Sequence, residues 1–160
     1  MVHLEFKTLG DQKELHLLGR FVEGQQLWYP NYTTWVHTVC IPELDSGYKS
    51  AIICWHHGMI VGNIIFQKHK ELPGVMELKN VRVDPNFRGE AIGYFLLRQS
   101  EKEAREHRYT MTMADIDVRQ KDMVALLRMA GYQTLGKEHL YSDDALDVIM
   151  VRELTRRRAA

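Results

Sequence analysis

The chain lacks most of the residues that mark specialised protein classes. Of its 160 residues only two are cysteine, Cys40 and Cys54, and their separation fits no paired-cysteine metal or redox spacing. They read as reduced, buried thiols, which suits a cytoplasmic protein. Net charge is missing too. With 21 basic and 21 acidic residues, no global field draws the chain to nucleic acid or anionic lipid, so neither is expected as a partner. No apolar run reaches membrane-spanning length, and the opening MVHLEFKTLG lacks the charged-then-apolar order of a secretory signal. His56, His57 and His69 have no supporting cysteine or carboxylate at ligand spacing, so no metal site is expected. Neither G-x-G-x-x-G nor G-K-[ST] occurs, which excludes the Rossmann and P-loop fingerprints. What remains is an ordinary globular composition, 45% hydrophobic and 26% charged. That length suits one domain over residues 1–154. The basic end, residues 155–160 with Arg156, Arg157 and Arg158, reads as a disordered, solvated tail.

Residues 2 to 9 alternate as a strand, with Val2, Leu4 and Phe6 on one face. Asp11 can cap a helix that turns Leu15, Leu18 and Phe21 or Val22 inward and ends at Gly24. An aromatic segment follows, Trp28, Tyr29, Tyr32 and Trp35, then His37. It reads either as the closure of one end of the core or as the wall of a substrate pocket. Thr33 to Val39 reads as a short helix or ordered loop, and Pro42 to Gly47 as a loop. Two strands meet at His57-Gly58, and a third spans Val75 to Val83. Asp84-Pro85-Asn86 stops that third strand, because proline cannot donate to a ladder.

The central stretch is Arg88-Gly89-Glu90-Ala91-Ile92-Gly93, followed at once by apolar residues at helical spacing. Small residues at 89, 91 and 93 let a ligand approach the backbone where a helix leaves its first N–H groups unpaired. Those groups and the positive helix end suit an anion, best a phosphate. The helix is expected from Arg88, buried up to Leu97, with its charged continuation from Arg98 read as a solvated face carrying the i,i+4 pairs Glu101/Arg105 and Lys102/Glu106. A strand over Tyr109–Val118, a helix over Gln120–Ala130 closed by Gly131, and strands over Tyr132–Tyr141 and Leu146–Leu154 complete the pattern.

The wording V-x-V-D-P-x-x-R-G-x-A-I-G-x-x-L-L resembles the acetyl-CoA signature of the GCN5-related N-acetyltransferase (GNAT) superfamily, in which R/Q-x-x-G-x-G/A follows a strand ending V-D-P. Ala91 stands where glycine is commoner. V-R-Q-K-D-M-V-A-L-L-R-M-A-G-Y is similar, in shortened register, to the family's later V-x-x-x-N-x-x-A-x-x-L-Y-x-x-x-G-F. The resemblance covers essentially the whole chain. It implies an α/β (α+β) GNAT fold, with a mixed, mostly antiparallel sheet of about seven strands and about four helices. It implies an acyltransferase that moves acetyl from acetyl-CoA, its cosubstrate, to a primary amine in a ternary complex. The backbone from Arg88 to Tyr94, including Gly89, Glu90, Ala91, Ile92 and Gly93, would hold the pyrophosphate. Val81, Arg82 and Val83 would receive the acetyl carbonyl and pantetheine arm. Gln120 falls where an asparagine usually contacts that arm.

Glu77, six residues before Val83, matches the offset of the general base in the histone-acetyltransferase branch, with Asp115 and Asp117 as alternatives that could equally bind a cationic acceptor. Leu127 falls where a tyrosine commonly serves as general acid, and leucine has no proton to give. Tyr141, Tyr132 and Tyr94 are the remaining candidates for that role, and water is another. Two other readings share the fold: an acyl-CoA-binding sensor without turnover, and an enzyme acting on a protein or other macromolecular amine. The family's use of edge strands allows a homodimer through the last strands.

Overall fold

The computed structural model describes residues 2–25 and 30–154. Seven strands form one mixed sheet in the order β1-β2-β3-β4-β5-β7-β6, as the resemblance implied. Trp28 and Tyr29 of the aromatic segment, and the Arg156–Arg158 tail, lie outside the described residues. The chain divides into two compact units, residues 1–67 with 79–96 and residues 68–78 with 97–160.

The first unit begins with β1 (Glu5–Thr8), antiparallel to β2 (Lys49–His56), which pairs antiparallel with β3 (Met59–Lys68). The turn between β2 and β3 is His57-Gly58, both with positive φ (47° and 78°), the conformation that tight hairpins require. Helix α1 (Gln12–Gly24) starts where Asp11 accepts a hydrogen bond from the Glu14 amide, and buries Leu15, Leu18 and Val22. The following segment is more helical than its sequence suggested. Short helices α2 (Tyr32–Trp35) and α3 (Ile41–Asp45) flank a π-helical turn over Val36–Cys40. Pro42, expected in a loop, lies in the first turn of α3, directly after the π-helical turn, a position near a helix start that proline tolerates.

Tyr32 is buried, donates from its hydroxyl to the Val22 carbonyl at 2.7 Å, and stacks on Trp35. These two aromatics therefore close the core with Val36, Cys40, Leu44 and Ile53. Cys40 and Cys54 are free and buried. Burial pushes their thiols up to about 12 and about 11, so both stay protonated.

The second unit contains β5 (Met111–Asp117), helix α5 (Lys121–Met129), β6 (Gln133–Ser142) and β7 (Ala145–Glu153). Strand β7 lies antiparallel between β5 and β6. Strand β4 (Val75–Val83) and helix α4 (Ile92–Glu106) run through both units. The parallel ladder joins Val75–Leu78 of β4 to Met111–Ala114 of β5 and stops there, although β4 continues to Val83.

The charged continuation of α4 is not uniformly solvated. Ser100, Glu101 and Ala104 are buried, because this helix keeps one stripe inward over its whole length. Glu101 is held by Arg98 at 2.9 Å, by Arg105 at 3.8 Å and by Arg152 at 3.0 Å.

Candidate active site

Two features of the structure bear on chemistry, one in each unit. The first is the turn between β4 and α4. A 3-10 turn over Pro85–Phe87 is closed by Asp84, whose carboxylate accepts from the Asn86 amide. Gly89 and Ala91 both have positive φ, 92° and 57°, so this segment is a turn. The helix begins at Ile92, four residues later than the sequence pattern suggested. Two left-handed residues in three positions cannot continue a right-handed helix.

The Ala91 carbonyl accepts the Phe95 amide at 3.1 Å, which makes Ala91 the capping residue. Its methyl offers no atom to receive the N–H groups of Ile92, Gly93 and Tyr94. A Cβ built on Gly89 meets nothing within 4 Å, so the backbone there is open to a ligand. Gly62 on β3 seats the helix. A Cβ at that position would sit 2.9 Å from Ile92 Cγ2 and 3.2 Å from the Arg82 carbonyl. An exposed loop leading into a helix start, where backbone amides point outward, fits a pyrophosphate.

The φ at Ala91 also explains why glycine is commoner in the family's signature. An L-residue in the left-handed region costs about 1 kcal/mol, and glycine does not. Ala91→Gly is therefore expected to stabilise the fold by about 1 kcal/mol. It should also tighten coenzyme A binding by about 2-fold, if seating the ligand adds about half that strain again to the left-handed Ala91. Thermal melting and calorimetry of the variant check both. Gly89→Val should act in the opposite direction through backbone conformation alone, and unchanged coenzyme A affinity in a folded variant would remove this turn as the binding site.

The second feature is a cavity of about 300 Å³ lined by His69, Glu77, Met113, Asp115, Leu140, Tyr141 and Ile149. The sheet register gathers them. Glu77 pairs with Met113 across the parallel ladder, and Asp115 pairs with Ile149 across the antiparallel one. Paired residues share a face, as do residues two apart in a strand, so all four line the same side. Leu140 and Tyr141 are consecutive, and a regular strand would send them to opposite faces. They reach the cavity together because β6 bulges: the register passes from Glu138↔Asp147 to Ser142↔Ala145, setting residues 139–141 opposite residue 146 alone.

Tyr141 donates its hydroxyl hydrogen to Asp115 Oδ2 at 2.5 Å. Much of the ring is exposed, but withdrawal of the hydroxyl from water at the cavity, and then the Asp115 charge, raise its pKa above the ordinary phenol value. Tyr141 thus keeps its proton, and is an anchor for Asp115 rather than an acid. His69 Nδ1 accepts the Glu71 and Leu72 amides at 3.1 and 3.0 Å, which leaves Nε2 as the ring's donor.

The other sequence candidates fall elsewhere. Tyr132 is buried, with its oxygen accepting from Thr112 Oγ1 at 2.8 Å, and its hydroxyl is pushed up to about 12 by burial. Tyr94 is half-buried beside Phe95. Leu127 is core. Gln120 stands at the start of α5, its amide donating to the Asp117 carbonyl, without a side-chain cap bond. Asp117 is occupied by Arg119, whose Nε lies 2.9 and 3.1 Å from its two oxygens. That pairing lowers its pKa, so Asp117 is a poor base. No group of three or more metal-ligating side chains occurs among the described residues.

Asp147 is a residue that sequence reasoning missed. It pairs across the ladder with Asp117 and is fully buried. Burial first, then Asp115 and Asp117, raises its pKa above the ordinary 3.8. The native state therefore binds more protons than the unfolded chain between 3.8 and the native value. Stability falls as pH rises through that window. Asp147→Asn is expected to raise the melting temperature at pH 7, with the gain shrinking in acid and vanishing below the ordinary carboxylate value. A pH series of melts on both proteins reads this out, and a gain that persists unchanged at pH 3 would remove the electrostatic explanation.

The chain thus combines a seven-stranded mixed sheet, a glycine-bearing strand-to-helix turn and a carboxylate-lined cavity. Residues 13–132 match the Acetyltransferase (GNAT) family, and the chain belongs to that family, whose members use acetyl-CoA. The fold is shared with solved structures of low sequence identity. A GNAT-family protein from Desulfovibrio desulfuricans has a TM-score of 0.82 at 15% identity, covering 94% of this chain and 99% of its own. The ribosomal-protein-S18-alanine N-acetyltransferase of Escherichia coli has 0.74 at 14%, covering 99% of each chain. The yncA protein of Salmonella typhimurium, solved with its cofactor acetyl-CoA, has 0.72 at 14%, covering 99% of this chain and 98% of its own. No curated protein matches the sequence. Among the described residues no helix is long and apolar enough to cross a membrane.

Proposed function

We propose that this acetyltransferase moves an acetyl group from acetyl-CoA to a primary amine by direct attack in a ternary complex, with Glu77 as the general base. The observation that carries the reading is the position of Glu77, a buried carboxylate that lines a cavity with a second carboxylate, Asp115. Strand β4 carries Glu77 and, six residues on, Val83. The family resemblance assigns Val81, Arg82 and Val83 to the acyl carbonyl and pantetheine arm. The parallel ladder to β5 ends at Leu78, so it does not use the backbone of those three residues. The turn from Arg88 to Tyr94 would hold the pyrophosphate through its amides, and Gln120 could contact the arm with its side-chain amide.

Glu77 accepts one proton from the acceptor's ammonium. The freed nitrogen then attacks the thioester carbonyl; the C–N bond forms, and the C–S bond breaks as the oxyanion collapses. The second proton passes from nitrogen to the departing sulfur, directly or through water. The products are the amide and coenzyme A, with one proton released to solvent through Glu77. Tyr141 is not needed as the acid in this scheme.

Calorimetry with acetyl-CoA, followed by thiol release across a panel of primary amines, tests the reading. Binding with turnover supports it. Binding with no turnover on any small amine would replace it with a sensor or a macromolecular acceptor.

A further inference from the structure

Resting on the amine-acetylation reading, we propose that the acceptor is an alkyl diamine or longer polyamine, with Asp115 as the residue that selects it by holding its second ammonium. The charge balance of the cavity is the starting point. Two of its seven lining residues are carboxylates, and none is lysine or arginine. The histidine among them has Nδ1 committed to two backbone amides. Behind the cavity, Asp147 is fully buried on the same face as Asp115 and adds to the negative potential. Asp115 is half-buried, and the partner on its Oδ2 is the neutral Tyr141 hydroxyl, so an ammonium is a favourable ligand for it.

An acceptor with a single amine brings one positive charge, and it loses that charge to Glu77 before attack. Asp115 would then face the bound substrate without a counterion. A second ammonium on the same molecule supplies one, and it stays charged through the reaction. The remaining walls, Met113, Leu140 and Ile149, are apolar and suit the methylenes between two nitrogens. At about 300 Å³ the cavity lies at the small end of ligand sites, which favours a slender chain over a ring system.

The Tyr141 hydroxyl fixes one oxygen of Asp115 at 2.5 Å and brings an aromatic ring to the cavity wall. Carboxylate and ring together are a suitable receptor for an ammonium group. The β6 bulge places them together: it carries Leu140 and Tyr141 to one face, and bulges commonly serve to re-aim a side chain beside a site. The same charges act against an acceptor with a carboxylate near its amine, so amino acids are disfavoured.

Three probes of similar length separate the cases: 1,4-diaminobutane, n-butylamine and 4-aminobutanoate. For the native protein the expected order of kcat/KM is diamine, then monoamine, then amino acid, with the diamine favoured over butylamine by about 10- to 100-fold. Asp115→Asn should collapse that ratio toward one through KM, and Asp115→Glu should restore part of it. Calorimetry of the coenzyme A complex with each probe gives a second readout that needs no turnover. Butylamine acetylated as fast as the diamine would overturn the diamine assignment while leaving acetyl transfer in place. Diamine bound selectively without turnover would do the reverse. An unchanged ratio in a folded Asp115→Asn variant would overturn the role given to Asp115, and the native ratio alone decides the acceptor class if that variant fails to fold.

Discussion

Glu77→Gln is expected to lower the acetylation rate at neutral pH by about 10²- to 10³-fold and to leave coenzyme A affinity within about twofold. Glutamine keeps the shape of the side chain and cannot take a proton, so the variant depends on acceptor already deprotonated in solution. An alkyl amine with a pKa near 10 has roughly one molecule in 10³ free at pH 7, which sets the scale of the loss. The same reasoning fixes the pH dependence. The variant's rate should climb about tenfold per pH unit toward the amine pKa, and the gap to the native enzyme should close there. Coenzyme A is bound by amides of the turn at residues 88–94 in the proposed arrangement, and Glu77 contributes nothing to it. A rate preserved at pH 7 would assign proton removal elsewhere. Asp115 is then the remaining carboxylate in the cavity, because Asp117 is occupied by Arg119.

Much of this arrangement could be read from the chain because local chemistry dictates it. The Asp11 cap, the His57-Gly58 turn, the Asp84-Pro85 stop and the Gly131 helix end are fixed by backbone preferences within a few residues. Glu77 was legible as a candidate through its offset from Val83, and Asp115 through strand alternation on β5. Their meeting in one cavity with Tyr141 was not. That depends on a parallel register between β4 and β5 and on a bulge in β6, and neither leaves a periodic trace. Pro42 misled because proline signals a loop in most contexts and a first helical turn in a few. The helix start at Ile92 was misplaced because Arg88–Ala91 contains good helix formers, and only the positive φ at Gly89 and Ala91 breaks the run. Asp147 passed unnoticed as a hairpin carboxylate, since its burial comes from strands on both sides.

Glu101 was hidden for a related reason, and it supports the largest stability prediction. In the sequence it belongs to a charged run on α4, yet it is 1% exposed and surrounded by three arginines. Arg98 and Arg105 are each about a third exposed, so water screens much of their share. Arg152 is different. It lies 3.0 Å from Oε1 with only 24% of its side chain exposed, close enough for charge attraction but not aligned for a hydrogen bond. Its Nη1 donates to the Ala130 carbonyl at the end of α5, and it fills the space beside Gly131 where any Cβ would collide. This one carboxylate therefore ties α4, β7 and the close of α5 together within the second unit.

Glu101→Ala removes the counterion and leaves Arg152 largely buried with nothing to balance it. The expected cost is about 3–5 kcal/mol, or a fall of roughly 10 °C in melting temperature for a protein of this size. Glu101→Gln should cost less, because the amide oxygen can still accept from Arg98. Urea denaturation of the two variants measures both numbers. A loss below about 1 kcal/mol in Glu101→Ala would mean that Arg152 swings out to solvent, and that α4, β7 and α5 are held instead by apolar burial, to which the fully buried Ala104, Leu127 and Met150 contribute.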